Sequence, residues 1–349
     1  MNTISPTAAQ ARELPNGNAG IARRATEAKL VDPRFSLYKS TEGYRAIMQW
    51  YDDVLEKLDV EVESRYVRTR FGVTHMLTAG PKDAEPLILV PGIAGCAPIW
   101  RRQLGPFAKH FRVYALDIVG QPGRSDPIPL SLLDDQCVHW LCDVLDGLDI
   151  DKAHFAGTSA GGWMVLRMGI SAPDRVLKAV MLSPTGVSRA RLPMKIWLGR
   201  ALNKRKDADA LEKDLTAKNV AAKTHGGSFG TFDRQLARLM ALCTRHYRVD
   251  RSIGVYNEKT GRIDFVKGLR VLGKFFLSEP KKVLRKFNVP ALLVFGEHEV
   301  LYSPNKVCRR MHRLIPGMTH AVIKGAGHAA IYDKPEEANA RIFEFLTAS

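Results

Sequence analysis

The sequence has 349 residues, and its hydrophobic fraction of 45% is sufficient for a full core. Five dispersed cysteines without C-x-x-C spacing argue against a disulfide framework or a zinc site and fit a reducing compartment. The N-terminus has no signal-like segment, and no apolar run reaches the roughly 18 residues of a membrane span, so we expect a cytoplasmic location.

The formal net charge of +16 is concentrated in one part of the chain. Residues 189–290 hold 24 Lys and Arg against 9 Asp and Glu, whereas the remainder of the chain is almost balanced. This segment could recognise something acidic, such as a carrier protein, an anionic substrate or a membrane surface, or it could be a solvated helical face. A nucleic-acid partner is not expected, because no recognition motif accompanies the charge.

The N-terminal elements are predicted as a tail, a helix and a hairpin. Residues 1–33 show little periodicity and are expected to be flexible. Between 41 and 58, apolar residues recur at helical spacing, which indicates an amphipathic helix. Residues 60–79 alternate around Arg70-Phe71-Gly72, which favours a hairpin leading into a sheet.

Strands and helices then alternate along the chain. Continuous apolar strands between helices are typical of a parallel sheet that is covered on both faces, so the predicted class is α/β. Predicted strands cover residues 86–91, 113–117, 153–158, 179–183, 291–295 and 321–323. Predicted helices cover residues 131–148, 160–171 and 335–346.

A long interruption separates the fourth and fifth of these strands. A parallel strand is expected within roughly thirty residues, after one crossover helix, but about a hundred residues intervene. We therefore predict a core of residues 34–188 and 291–349, into which a basic helical cap of residues 189–290 is inserted.

The segment Gly157-Thr158-Ser159-Ala160-Gly161 lies between a predicted strand and a predicted helix. This is the context of a nucleophile elbow, where a serine occupies a sharp, strained turn. Bulky residues at 157 and 161 would collide with the adjacent strand and helix. We predict that Ser159 is a nucleophile and that the amide of Ala160 faces the same space.

A serine hydroxyl needs a base, and the base needs an acid that fixes its tautomer. His328 follows the last predicted strand in a glycine-containing loop, and it is the predicted base. Glu299 lies three residues past Gly296, after the preceding strand, and it is the favoured acid, with Glu297 as the alternative. Such groups are expected at the carboxyl ends of parallel strands.

A second amide is needed to hold an oxyanion, and the loop after the first parallel strand can supply it. Ile93 is the first candidate donor and Ala94 the second. Gly92, Ala94 and Trp163 are predicted to contact the substrate. Asp117, at the end of the next strand, is interpreted as a residue that orders its loop through backbone hydrogen bonds.

Together these motifs resemble the α/β-hydrolase superfamily, in particular bacterial carboxylesterases with a helical cap. The resemblance covers residues 60–349 except the cap, and it is carried by PGIAG at 91–95, the loop at 117–125, GTSAGG at 157–162, FGEHE at 295–299 and GAGHAA at 325–330. It implies the α/β-hydrolase fold, a mostly parallel doubly wound sheet. The chain departs from many relatives by having Pro91-Gly92 instead of His-Gly, and Glu299 instead of Asp.

The predicted function is hydrolysis of a carboxylic ester or thioester through an acyl-serine intermediate, without a metal or an organic cofactor. One alternative is an acyltransferase or cyclase that passes the acyl group, for example from an acyl carrier, to an acceptor other than water. A second alternative is a non-enzymatic ligand receptor with the same pocket.

Overall fold

The structure is a computed structural model, and it describes residues 12–13, 37–191, 207–213, 231–257 and 259–348. In chain order its elements are β1 (Arg12–Glu13), α1 (Thr41–Leu55), β2 (Glu63–Thr69), β3 (Gly72–Ala79), β4 (Pro86–Val90), α2 (Arg101–Ala108), β5 (Arg112–Leu116), α3 (Gln136–Gly147), β6 (Ala153–Thr158), α4 (Ala160–Ser171), β7 (Val176–Leu182), α5 (Arg234–His246), α6 (Val249–Ser252), β8 (Tyr256–Asn257), β9 (Arg262–Ile263), α7 (Phe265–Phe276), α8 (Lys281–Leu284), β10 (Ala291–Gly296), α9 (Pro304–Leu314), β11 (Met318–Ile323), α10 (Ala330–Asp333) and α11 (Pro335–Thr347).

Nine strands form one sheet in the order β1-β2-β3-β5-β4-β6-β7-β10-β11. The pairs β1-β2, β2-β3 and β3-β5 are antiparallel. The remaining pairs, β5-β4, β4-β6, β6-β7, β7-β10 and β10-β11, are parallel. The parallel strands β4, β6, β7 and β10 are almost fully buried, because helices cover both faces of the sheet. One apolar cluster packs α3, α4 and α9 against the sheet, and the other packs α1, α2 and α11.

This architecture confirms the predicted fold class, and most predicted elements appear within a few residues of their expected bounds. Two differences have a local cause. Helix α3 begins at Gln136 and not at 131, because side-chain bonds to the Ser131 and Gln136 amides hold a turn there. Strand β11 begins at Met318 and not at 321, and its extra residues include the exposed Thr319 and His320 at the sheet edge.

The tail and the cap are only partly described. Arg12 and Glu13 pair with Arg68 and Val67 of β2, and the remainder of 1–33 lies outside the described residues. The long insertion follows β7, and its described part contains α5 to α8 together with an antiparallel hairpin, β8–β9, that the sequence did not predict. The domain boundaries stay a prediction. Within the described residues, no helix is both long and apolar enough to cross a bilayer.

Candidate active site

Ser159 occupies the turn between β6 and α4, as predicted from the glycine pattern. Its φ of 54° and ψ of −115° lie in a region that non-glycine residues rarely adopt. Two backbone hydrogen bonds hold the turn. The Ser159 amide donates to the Leu182 carbonyl at 2.8 Å, and the Ser159 carbonyl accepts from the Trp163 backbone amide at 3.1 Å. The side chain is therefore fixed at the carboxyl end of the sheet by its own backbone.

The glycines around Ser159 are required by close backbone contacts. A Cβ atom at Gly157 would lie 2.4 Å from the Gly161 carbonyl oxygen. A Cβ atom at Gly161 would lie 2.3 Å from the carbonyl oxygens of both Val90 and Pro91. Only glycine fits at either position, so the strand, the turn and the helix approach one another as the elbow geometry requires.

His328 and Glu299 form a pair at the ends of neighbouring strands, with the His328 side chain only 13% exposed. The His328 Nδ1 atom lies 2.9 Å from each carboxylate oxygen of Glu299. The Glu299 side chain is fully buried, and its Oε1 atom also accepts a hydrogen bond from the Leu301 amide at 2.9 Å. A carboxylate at Nδ1 favours the tautomer that has its proton on Nδ1 and the proton-accepting lone pair on Nε2.

The electrostatics of this pair oppose the cost of burial. Burial by itself raises the pKa of Glu299, but the charge and hydrogen bond of His328 outweigh it, so the pKa lies below the usual value. Burial by itself lowers the pKa of His328, and Glu299, helped by the charge of Asp333, raises it above the usual value. The arrangement thus favours a carboxylate beside an imidazole that readily holds a proton.

The alternative acid, Glu297, has a different contact. Its Oε2 atom accepts a hydrogen bond from the Gly325 amide at 2.9 Å, and its side chain is about half exposed. Of the two glutamates, Glu299 therefore contacts His328, and Glu297 orders the start of the histidine loop.

The register of the parallel strands gathers the three residues at one edge of the sheet. Thr158 is paired with Leu182, and Leu182 with Val294, so β6, β7 and β10 end at the same level. A Cβ atom at Gly296 would lie 2.1 Å from the Gly327 carbonyl oxygen. Glycine at 296 therefore lets the loop that carries His328 close over the end of β10.

The loop after β4 packs directly on the serine turn. A Cβ atom at Gly92 would lie 3.3 Å from both the Ser159 Cβ atom and the Thr158 carbonyl oxygen. The Ala94 amide is already engaged, since it donates to the Gln121 side chain at 2.9 Å. This bond favours Ile93 over Ala94 as the second oxyanion donor, beside Ala160 at the first position of α4.

Trp163 is buried between the core and the cap. Its side chain is 2% exposed, and its indole nitrogen donates to the Glu279 carboxylate at 3.1 Å. The predicted substrate contact of Trp163 stays a prediction. The same prediction stands for Gly92 and Ala94.

Asp117 orders its loop, in agreement with its interpretation from the sequence. Its two carboxylate oxygens accept hydrogen bonds from the Ala97 and Arg124 amides at 2.7 and 2.8 Å. The Tyr51 hydroxyl donates to the same carboxylate, and the His75 Nδ1 atom lies 2.8 Å from it. Asp117 is thus fully engaged away from His328.

Gln121 is a residue that sequence reasoning missed. Its side chain accepts from the Ala94 amide and donates to the Ser252 carbonyl at 3.3 Å, so it joins the loop after β4 to helix α6. A glutamine in a turn carries no pattern that identifies such a bridge. Among the described residues, no cluster of His, Cys, Asp and Glu is arranged to hold a metal ion.

Comparison with known proteins identifies the family and similar enzymes. A family model described as the alpha/beta hydrolase fold matches residues 85–335. The chain is 29% identical to carboxylesterase YbfK of Bacillus subtilis over 88% of this chain and 96% of that protein. It is 31% identical to the uncharacterized carboxylesterase nap of the same organism, over 86% of this chain and 92% of that protein.

Solved structures agree with these sequence matches. The crystal structure of carboxylesterase CesB (YbfK) from Bacillus subtilis has a TM-score of 0.72 at 28% identity and covers 88% of this chain and all of that one. The crystal structure of naproxen esterase from the same organism has a TM-score of 0.68 at 27% identity, with the same coverage.

Proposed function

The chain belongs to the α/β-hydrolase fold family, and from that premise we propose that it is a serine carboxylesterase whose catalytic residues are Ser159, His328 and Glu299. Carboxylesterase relatives at about 30% identity over most of the chain support ester hydrolysis. The observation that carries the assignment of residues is the buried contact of Glu299 with His328, at the same sheet edge as the strained Ser159 turn.

The proposed reaction has two halves that use the same groups. His328 accepts the Ser159 proton at Nε2 while the Ser159 oxygen attacks the ester carbonyl, and the imidazolium then protonates the departing alcohol or thiol. Water, deprotonated by His328, attacks the acyl-serine, and the acid leaves as Ser159 recovers its proton. The amides of Ile93 and Ala160 hold the oxyanion in both halves, and Glu299 stabilises the imidazolium.

Replacing the nucleophile tests the assignment. We expect Ser159→Ala to lower kcat for simple acyl esters by roughly 10⁴- to 10⁶-fold, because only binding and the oxyanion donors remain. Hydrolysis of acyl esters and pantetheine thioesters is measured, together with labelling by a fluorophosphonate. Ser171→Ala is the matched control, since Ser171 is an exposed serine at the end of the same helix, α4.

Three other outcomes of these measurements would contradict the proposal or favour another function. A folded wild-type protein that is neither labelled nor active would contradict the proposal and favour a ligand receptor. Acyl transfer to an added alcohol or amine with negligible hydrolysis would favour an acyltransferase. Equal losses in both serine variants would indicate a general effect on the fold and would contradict the assigned role of Ser159.

We also propose that the basic segment 189–290 recognises an anionic partner. Its 24 basic residues support an anionic group on the substrate or on a protein that carries it. Two dense basic clusters occur in this segment. Lys204-Arg205-Lys206 lies outside the described residues, whereas Lys281, Lys282, Arg285 and Lys286 are exposed in α8 and directly after it. We expect kcat/KM for an anionic ester to fall between low and high salt, with a neutral ester as the control; equal salt dependence would contradict an anionic partner.

A further inference from the structure

Helix α7 of the cap exposes an unusual apolar surface. Of the seven large exposed apolar side chains in the described part of the chain, five lie between residues 263 and 277. Four of them occupy the N-terminal end of α7 and the strand before it, with exposed fractions between 56% and 74%. They are Ile263, Phe265, Val266 and Leu269, which we call the α7 patch. Apolar clusters of this kind mark sites of interaction.

The spacing places the patch on one face of the helix. Phe265 and Leu269 are four residues apart, and Val266 and Leu269 are three apart, so their side chains are neighbours on the helix surface. The opposite side of α7 faces the protein, where Val271 is buried in the apolar cluster beneath the cap. The patch therefore points outward and does not belong to the core.

Positive charge surrounds the patch. Residues 259–286 contain nine Lys and Arg but only two acidic residues. Lys267 and Arg270 are exposed on the helix next to the patch, and Arg262 is exposed on the preceding strand. Both acidic side chains accept hydrogen bonds within the protein. Asp264 caps α7 by accepting from the Lys267 amide, and Glu279 accepts from the Trp163 indole.

The position of α7 is fixed at both ends. At its start, the Asp264 amide donates to the Val255 carbonyl at 2.8 Å. At its end, the Phe276 carbonyl accepts from the Ala190 amide at 2.8 Å, and Glu279 donates through its amide to the Gly186 carbonyl at 2.7 Å. The patch thus lies on a helix that backbone hydrogen bonds anchor at both ends.

From these observations we infer that the α7 patch docks on an anionic lipid surface. A helix with exposed Phe, Leu and Val on one side and Lys and Arg beside them is suited to the boundary between acyl chains and acidic headgroups. A second copy of the chain is a poor occupant, because pairing two α7 helices would bring the same positive charges together. An acidic protein would satisfy the charge but not the protruding aromatic and aliphatic side chains.

Vesicle binding tests this inference. The Ser159→Ala variant is mixed with vesicles of phosphatidylcholine alone or with added phosphatidylglycerol, and the bound fraction is measured by co-sedimentation. Using this variant separates lipid binding from the proposed catalysis, so either can fail without the other. We expect binding to vesicles that contain phosphatidylglycerol, and binding that weakens as salt is added.

Substitutions in that background locate the contact. Phe265→Asp and Leu269→Asp should each lower the partition coefficient at least about tenfold, because an apolar group is lost and a like charge faces the lipid. The double variant K267Q/R270Q should lower it roughly thirtyfold by removing two positive charges. Ile128→Asp is the matched control, since Ile128 is an exposed apolar side chain outside residues 189–290, and its binding should not change.

Four results would overturn the inference. The first is no binding to either vesicle, and the second is equal losses for Ile128→Asp and the α7 variants. The third is a lower melting temperature of Phe265→Asp or Leu269→Asp, which would show that the chain itself covers the patch. The fourth is a wild-type dimer that Leu269→Asp dissociates while vesicles fail to bind, which would identify a second copy as the occupant.

Discussion

The environment of Glu299 determines how this site depends on pH. The carboxylate loses hydration but gains the Leu301 amide and the His328 ring, so the charged form is favoured in a fully buried position. The same contact raises the pKa of His328. A general base must be neutral before it accepts the serine proton, so activity should rise with pH through the raised pKa of His328.

Removing the Glu299 charge should move this pH dependence. With Glu299→Gln, the imidazolium is no longer stabilised, so the pKa of His328 falls and the acid limb of kcat/KM shifts to lower pH. The plateau should fall by roughly 10³- to 10⁴-fold, because the tautomer is no longer fixed. The measurement is the pH profile of ester hydrolysis for the wild type and the variant.

Glu297→Gln is a suitable control for this experiment. Glu297 lies two residues earlier, and its side chain is about half exposed. Its carboxylate accepts a hydrogen bond from the Gly325 amide, whereas the His328 ring contacts Glu299. Its substitution should leave the acid limb unchanged. An unchanged limb in Glu299→Gln, or an equal shift in both variants, would argue against Glu299 as the partner of the base.

The positions of the predicted site residues could be inferred from strand order, whereas their catalytic roles stay a proposal. Ser159 follows β6, Glu299 follows β10 and His328 follows β11. The carboxyl ends of parallel strands lie at one edge of the sheet, so the three residues are expected there. The choice between Glu297 and Glu299 needed the course of the loop after β10. Gln121 could not be identified, because its importance depends on two backbone groups that are distant in sequence.

The turn from β6 to α4 depends on backbone contacts as close as those in a tight core. At Gly161, the space of a methyl group is occupied by the carbonyl oxygens at the end of β4. Backbone of a central strand cannot move aside without disturbing its ladder, so the cost of a side chain there should be high.

A glycine-to-alanine pair measures this cost. Gly161→Ala should lower the free energy of unfolding by about 3 kcal/mol or more and should also displace Ser159. In contrast, Gly268→Ala on α7 should change it by about 1 kcal/mol or less, in the stabilising direction, since no atom lies within 4 Å of its Cβ position. Urea unfolding of both variants gives the comparison, and similar values for the two would contradict the role assigned to Gly161.

Elements with strong apolar patterns were predicted well, and those without them were not. Strand β6 and helix α4 match their predicted bounds, because an apolar run leads directly into the glycine-flanked serine. Helices α2 and α9 were not predicted. Helix α9 buries only Val307, Cys308 and Met311, and Arg and Lys residues interrupt its apolar pattern.

The cap and the core are joined through the loops that border the site. Tyr247 of the cap donates its hydroxyl to the Gly120 carbonyl at 2.8 Å, and Gln121 connects Ala94 with Ser252. Arg101 of the core is paired with Asp233 at the start of α5. Hydrogen bonds therefore connect the loop after β4 with the inserted segment.

Loss of the Gln121 bridge should affect turnover more than binding. Gln121→Ala leaves the Ala94 amide and the Ser252 carbonyl without their partner, so the loop that carries Ile93 is less well held. We expect kcat for a small ester to fall about tenfold, with a much smaller change in KM. Steady-state kinetics and the melting temperature are measured together.

Gln136→Ala provides a matched comparison. Gln136 also supports a loop through its side chain, which accepts from the Ser131 amide at 2.9 Å, but it lies at the start of α3. This variant should lose some stability and keep its kcat. If the two variants lose kcat equally, the effect of Gln121 is one of stability and not of positioning.

The bond between Trp163 and Glu279 has an optical consequence. The indole belongs to α4, which Ser159 precedes, whereas its acceptor belongs to the segment that follows α7, so a movement that separated this segment from α4 would break the bond. When an indole moves from a buried, hydrogen-bonded position into water, the wavelength of its fluorescence emission changes. Trp163, four residues after Ser159, would therefore report such a movement by its fluorescence.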